Sequence, residues 1–292
     1  MIAIFVDQGI GRALMALHVR VMTGELVGRV NCALGTKADV VIFGNSRAVH
    51  HLDPGVIEPI IHRSVFNAGV DGCHMEYARL LSRLMLQRGS MAKVFVLEID
   101  HYILSEFDLD RARRLLPFMD ELPLIAMEIR QARPLAGIKL LSRSYRFEGL
   151  ATSLVLHNFF PGPAIGGGFS PLMGRLKKSD LTPRPIFRTQ MEPRAERYLR
   201  DFIREAQSKG IEVVLVTGPY YPPRPNRPDP LMEELISLSR KEGVVLLRID
   251  EQVYPELREV FLFKDEDHLN HGGAVLYSKL VGRALVSRLG MD

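Results

Sequence analysis

The stretch ADVVIFGNSR at residues 38–47 decides the fold class. Its apolar, largely β-branched run stops at Gly44, which is typical of a strand buried on both faces. Similar runs recur at Ser64–Asn67, Ala92–Ile99, Ile211–Thr217 and Val244–Ile249. Because helical segments separate these runs, they indicate a parallel sheet covered by helices on both faces. We therefore predict an α/β fold, a three-layer α/β/α sandwich with a flavodoxin-like, parallel five-stranded sheet.

The helices that complete this repeat are predicted from apolar periodicity and from capping residues. Asp53 precedes a proline at the first helical position, Gly210 follows a helix as its C-cap, and Asn270 is placed to cap the closing helix. The predicted helices span 54–62, 75–88, 194–209, 230–241 and 271–289.

Two regions lie outside the repeat. Residues 1–37 include amphipathic helical sequence at 8–33 and are predicted to form an N-terminal helical cap, with a juxtamembrane position left open. Residues 38–292 are predicted to form the α/β/α domain. Its strands three and four are separated by an insertion at about 103–193, with helical segments near 108–119 and 121–132 followed by Gly- and Pro-rich chain.

Composition excludes several classes of protein. The chain has 292 residues, 47% apolar and 25% charged, which excludes a disordered chain, and its two cysteines cannot form a disulfide framework. A net charge of +4 gives no reason to expect a nucleic-acid partner. No apolar run of about 18 residues is present, so the chain is expected to be soluble as given. The alternative is the extracytoplasmic face of a bacterial membrane, if Met1–Val6 is the end of a trimmed anchor.

Candidate catalytic residues stand where the predicted strands end, the edge at which open parallel sheets bind ligands. Ser46 follows the first strand, and Asp265 and His268 precede the last helix. A serine hydroxyl needs a base, and a histidine oriented by a carboxylate supplies one. We predict Ser46 as nucleophile, His268 as base and Asp265 as the orienting acid, with Asp267 as a competing choice. Backbone N–H groups after Ser46 and at Gly72 are candidate oxyanion donors.

At these residues the chain resembles the SGNH (GDSL-like) hydrolases. Gly44–Ser46 looks like the family's first block, Asn67 followed by Gly72 like its second, and Asp265–His268 like its last. The resemblance implies a catalytic triad of serine, histidine and aspartate. It also implies that the N–H groups of Ser46 and Gly72 form the oxyanion hole.

The third block of the family departs from the pattern. That block carries an Asn whose side chain completes the oxyanion hole, whereas Leu97–Asp100 contains none. Asn45 and Arg47 are the nearest substitutes for the missing donor. Gly44–Arg47 and His268–Asn270 look more like a divergent branch that modifies bacterial cell-surface polysaccharides by acyl transfer.

These observations predict a serine-dependent esterase or O-acyltransferase that acts through an acyl-enzyme on a small ester or an acylated carbohydrate. One alternative is a catalytically degenerate protein of the same fold that binds a glycan or acylated polymer. Another is a flavodoxin-like protein that binds a mononucleotide. We expect Arg47 and Asn67 beside the substrate, and neither a metal nor an organic cofactor. His50 and His51 lack the partner spacing of a metal site and are expected at the surface, and Cys73 is expected to be structural.

Overall fold

A computed structural model describes residues 2–132, 135–177, 181, 190–223 and 229–290. Its strands are β1 (Val40–Phe43), β2 (Val65–Asn67), β3 (Val94–Glu98), β4 (Glu212–Thr217) and β5 (Val245–Arg248). They form one parallel sheet in the order β2-β1-β3-β4-β5. The predicted α/β class and the flavodoxin-like order are thereby confirmed.

The α-helices of the described residues fall before, between and after these strands, with short 3₁₀ turns at Ala112–Phe118, Ser144–Phe147, Pro255–Arg258 and Val260–Leu262. In chain order the α-helices are α1 (Ile2–His18), α2 (Arg29–Gly35), α3 (Ser46–His51), α4 (Pro54–Ile61), α5 (Met75–Gln87), α6 (His101–Ser105), α7 (Leu124–Ala132), α8 (Ala136–Lys139), α9 (Ala151–Phe159), α10 (Pro193–Gln207), α11 (Pro230–Glu242) and α12 (His271–Leu289). Among these helices, none combines the length and the apolar character needed to cross a membrane.

The sheet is buried on both faces because successive side chains of a strand point to opposite sides. One set of strand residues, which includes Val40 and Ile42, packs with side chains of α4 and α12 in the main apolar core. The alternate set places Phe43 and Phe95 against Phe202 of α10, with ring centroids 4.9 to 5.8 Å apart. Helices therefore cover both faces, as the continuous apolar runs predicted.

The chain divides into two compact units. Unit 1 comprises residues 1–36, 80–90 and 108–166, and unit 2 comprises residues 37–79, 91–107 and 167–292. The sheet and its core lie in unit 2. The predicted insertion is thus divided between the units, and its residues 133–134, 178–180 and 182–189 lie outside the described residues.

Unit 1 groups the N-terminal helix with much of the predicted insertion, whereas the sequence indicated a separate cap. The physical reason is a shared apolar cluster of Val21, Val27, Phe147, Leu150 and Leu154. Leu14 and Met15 of α1 pack against the same cluster. Burial of this apolar surface joins segments that are far apart in sequence.

Candidate active site

The turn after β1 places Ser46 at the first position of α3. Gly44 has φ of 144°, and a Cβ there would lie 2.9 Å from the carbonyl oxygen of Glu98, so the turn requires glycine. Asn45 caps α3, because its side-chain oxygen accepts the N–H of Arg47 at 2.9 Å. The cap leaves Ser46 partly exposed at the carboxyl end of the strand.

The loop between β5 and α12 holds His268. The Asp265 carboxylate accepts the backbone N–H groups of Asp267 at 2.9 Å and of His268 at 2.8 Å. The carbonyl of His268 in turn accepts the N–H of Lys264 at 2.8 Å. These hydrogen bonds close a local turn that holds the backbone of His268 in place.

The three predicted side chains form one hydrogen-bonded chain. The Oγ of Ser46 lies 2.8 Å from Nε2 of His268. The Nδ1 of the same imidazole lies 2.9 and 3.1 Å from the two carboxylate oxygens of Asp265. A hydroxyl, an imidazole and a carboxylate in this order can pass a proton from the hydroxyl to the ring while the carboxylate holds the ring.

Asp265, and not Asp267, is the carboxylate that meets the imidazole. Burial alone would raise the pKa of Asp265, but the hydrogen bond from His268 and the attraction of its ring outweigh burial and lower that pKa. The carboxylate is therefore ionised at neutral pH. Asp267 takes part through its backbone, because its N–H donates to the Asp265 carboxylate and its carbonyl oxygen accepts a hydrogen bond from Arg47.

The side chain of Arg47 lies in the interior of unit 2. Its side chain is fully buried, with Nε donating to Glu98 at 3.0 Å and the guanidinium stacked 4.1 Å from the ring centre of Tyr220. Nη1 donates to the carbonyl oxygens of Pro219 at 3.1 Å and Asp267 at 3.0 Å. The expectation that Arg47 contacts substrate does not fit this burial. Instead Arg47 joins the serine turn to the histidine loop.

Asn67 is also buried and occupied by the backbone. Its amide donates to the carbonyl oxygens of Ala48 at 2.6 Å and Leu52 at 2.8 Å, and its side-chain oxygen accepts the N–H of Gly69. The last carbonyls of a helix lack partners within the helix, so Asn67 completes the C-terminus of α3. The expected substrate contact of Asn67 does not fit this position. Gly72 lies in the loop after β2 with φ of 64°, where its N–H stays a predicted oxyanion donor.

His50 and His51 are buried, so the expectation of surface histidines is wrong. His51 accepts the N–H of Leu269 at Nε2, and its ring centre lies 6.0 Å from that of His268. Burial, with the charge of Arg47, lowers the pKa of His51 well below its usual value. His50 contacts the carbonyl of Ser170 at 2.6 Å, and its Nε2 lies 3.3 Å from Asp71. Both rings therefore pack beside His268.

The end of β3 carries acidic side chains and no amide that could donate a hydrogen bond to an oxyanion. Glu98 is paired with Arg47, and Asp100 caps α6 and accepts the side-chain N–H of Asn45 at 2.9 Å. Ionised carboxylates only accept hydrogen bonds, so neither can stabilise an oxyanion. Sequence analysis missed this buried network, although an acid inside the apolar run of β3 was a visible signal.

No metal centre is formed by the described residues, since no group of three or more His, Cys, Asp or Glu side chains has the required proximity. Cys73 is buried beside the site, with its thiol 3.1 Å from the carbonyl oxygen of Gly44. This contact fits the structural role predicted for it.

Comparison with known proteins identifies no family for this chain. No protein-family model matches the chain, and no curated protein matches its sequence. A similar solved structure is that of a protein assigned to the lipolytic G-D-S-L family, from Desulfitobacterium hafniense DCB-2. It is 11% identical with a TM-score of 0.41, and the match covers 84% of this chain and 98% of that chain.

Proposed function

We propose that the protein is a serine-dependent ester hydrolase or O-acyltransferase that acts on a small ester or an acylated carbohydrate. The observation that carries this proposal is the hydrogen-bonded chain from Ser46 through His268 to Asp265. These residues lie 222 and 3 positions apart in sequence and meet at one edge of the sheet. A serine with a structural role alone would not require a hydrogen bond to an imidazole that is itself held by a carboxylate.

In this mechanism Ser46 Oγ attacks the ester carbonyl while its proton moves to Nε2 of His268. The alcohol leaves with that proton, and the acyl group stays on Ser46. Water or a sugar hydroxyl then attacks the acyl-enzyme and passes its own proton to His268, which returns it to Ser46. Asp265 holds Nδ1–H throughout and stabilises the charged ring.

The oxyanion is assigned to backbone donors. The first N–H groups of a helix have no acceptor within the helix, and the Asn45 cap occupies that of Arg47. The N–H of Ser46 is therefore the first donor, and that of Gly72 is the expected second. Asn45 also donates to Asp100, so its amide chiefly positions the turn.

Turnover of short p-nitrophenyl esters by Ser46→Ala tests the proposal. We expect kcat/KM to fall by about 10³-fold or more, because the nucleophile is lost while the fold is kept. Ser208→Ala, on the exposed end of α10, is the matched control and should retain full activity. Equal turnover by both variants would overturn the proposal.

The acids at the end of β3 favour one alternative, a degenerate protein that binds a glycan or acylated polymer without turning it over. One missing oxyanion donor costs about 3 kcal/mol of transition-state stabilisation. If the wild-type protein hydrolyses no ester and binds an acylated glycan equally well with Ser46→Ala, the binding function replaces the enzymatic one.

A further inference from the structure

Unit 1 carries a large apolar surface. Most of the strongly exposed large apolar side chains among the described residues belong to this unit, although unit 2 is the larger. They lie on α1, on residues 135–141 around α8, and at the end of α9. Phe5, Phe159 and Phe160 are each 71% exposed. Soluble monomers rarely expose apolar side chains in such concentration, and such exposure is typical of an interaction surface.

The outward face of α1 is almost without charge. Its exposed residues in the described part are Ile2, Ile4, Phe5, Val6, Gly9, Ile10, Arg12, Ala13 and Ala16. A helix that faces water carries polar residues on this side, whereas here Arg12 is the sole charged one. Asp7 does not face outward, because the hydroxyls of Ser142 and Ser144 and the N–H of Arg143 bind its carboxylate.

The segments that pack against or follow this helix add positive charge. Residues 135–147 contain Lys139, Arg143 and Arg146. The Asp120 carboxylate pairs with both arginines, so Lys139 is the exposed cation of this segment, and α9 contains no Lys, Arg, Asp or Glu. Both Ser144–Phe147 and α9 pack against α1. The surface therefore combines exposed apolar side chains with basic ones, the combination that binds anionic lipid headgroups.

We propose that unit 1 binds the surface of an anionic lipid bilayer through α1, residues 135–141 and the end of α9. The aliphatic and aromatic side chains enter the boundary between headgroups and acyl chains, and Arg12 and Lys139 meet the phosphates. A second copy of the chain is the poorer partner. A two-fold dimer through this face would bring the positive charges of Arg12 and Lys139 close to those of the second copy.

Sedimentation of the full chain with vesicles tests this proposal. Binding is expected to vesicles of phosphatidylcholine and phosphatidylglycerol, and much less to phosphatidylcholine alone. The variant Phe159→Ser/Phe160→Ser should lower the partition coefficient at least about tenfold, because two aromatic anchors are lost. Lys139→Glu should lower it more than about fivefold, because a phosphate contact becomes a repulsion. Phe5→Ser removes an apolar anchor from the separate segment α1, and it should also lower the partition coefficient by a similar factor.

The matched control is Phe261→Ser, an exposed aromatic residue of unit 2 whose loss should leave vesicle binding unchanged. Far-UV circular dichroism checks that each variant is folded. Equal binding to neutral and anionic vesicles, or unchanged binding by the folded variants, would overturn the proposal. So would light scattering that shows a dimer dissociated by Phe159→Ser/Phe160→Ser, because a second copy would then be the partner.

Discussion

Replacing Arg47 by methionine would remove a buried cation that joins the serine turn to the histidine loop. Arg47 and Glu98 are 2% and 0% exposed in their side chains, with Nε 3.0 Å from the carboxylate. Breaking a buried pair while one charge stays behind costs about 3–5 kcal/mol. We expect Arg47→Met to lower the free energy of unfolding by about that amount, since Glu98 then lies buried without its strongest partner.

A double-mutant cycle measured by urea denaturation separates this pairing from lost packing. The combined variant Arg47→Met/Glu98→Gln removes both charges, so its loss of stability should be smaller than the sum of the two single losses by at least about 1 kcal/mol. Additive losses, or a loss below about 1 kcal/mol for Arg47→Met alone, would refute the reasoning.

Arg47→Lys tests the link to the active site, because lysine keeps the charge and lacks the planar fork. Lysine can still meet Glu98, but it cannot also donate to the carbonyl oxygens of Pro219 and Asp267 as Nη1 does. We expect kcat for ester hydrolysis to fall about tenfold with KM little changed, because the histidine loop is less well held. Unchanged kcat would mean that the link is structural alone.

Two further predictions concern titratable side chains. Asp265→Asn should lower kcat by about 10³- to 10⁴-fold in the ester assay, because an amide cannot stabilise the charged ring of His268. Asp267→Asn should lower kcat less than tenfold. Equal losses in the two variants would exclude Asp265 as the orienting acid. Burial, with the charge of Arg88, lowers the pKa of His18 to about 4. Below pH 6.5 the unfolded chain therefore binds a proton that the folded chain does not. The free energy of unfolding is expected to fall by about 3 kcal/mol between pH 6.5 and pH 4. Urea denaturation should show that His18→Leu removes this part of the pH dependence, and an unchanged dependence would contradict the burial of that ring.

The sheet was predictable because its strands are continuous apolar runs. All five lie within two residues of their predicted ends, and their parallel arrangement follows from the repeat of strand and helix. The proximity of Ser46, Asp265 and His268 was predictable for a related reason. Polar residues directly after buried strands meet at one edge of a parallel sheet, whatever their separation in sequence.

The positions of Arg47, Asn67 and His51 could not be predicted from sequence. They lie on or beside α3, a helix of 6 residues, which is too short for its periodicity to define a buried face. Their burial depends on partners from distant segments, such as Glu98 and the N–H of Leu269. The grouping of α1 with residues 108–166 in unit 1 has the same origin, since it depends on apolar contacts between segments far apart in the chain.

Covalent labelling with a fluorophosphonate, followed by peptide mass mapping, tests the role of Ser46 most directly. The wild-type chain should gain one phosphonyl adduct on the peptide that contains Ser46, and His268→Ala should slow labelling by about 10²-fold or more, because the base is lost. His62→Ala, at an exposed histidine after α4, should label at the wild-type rate. A folded wild-type protein that gains no adduct at Ser46, or that labels equally fast without His268, would contradict the proposed mechanism.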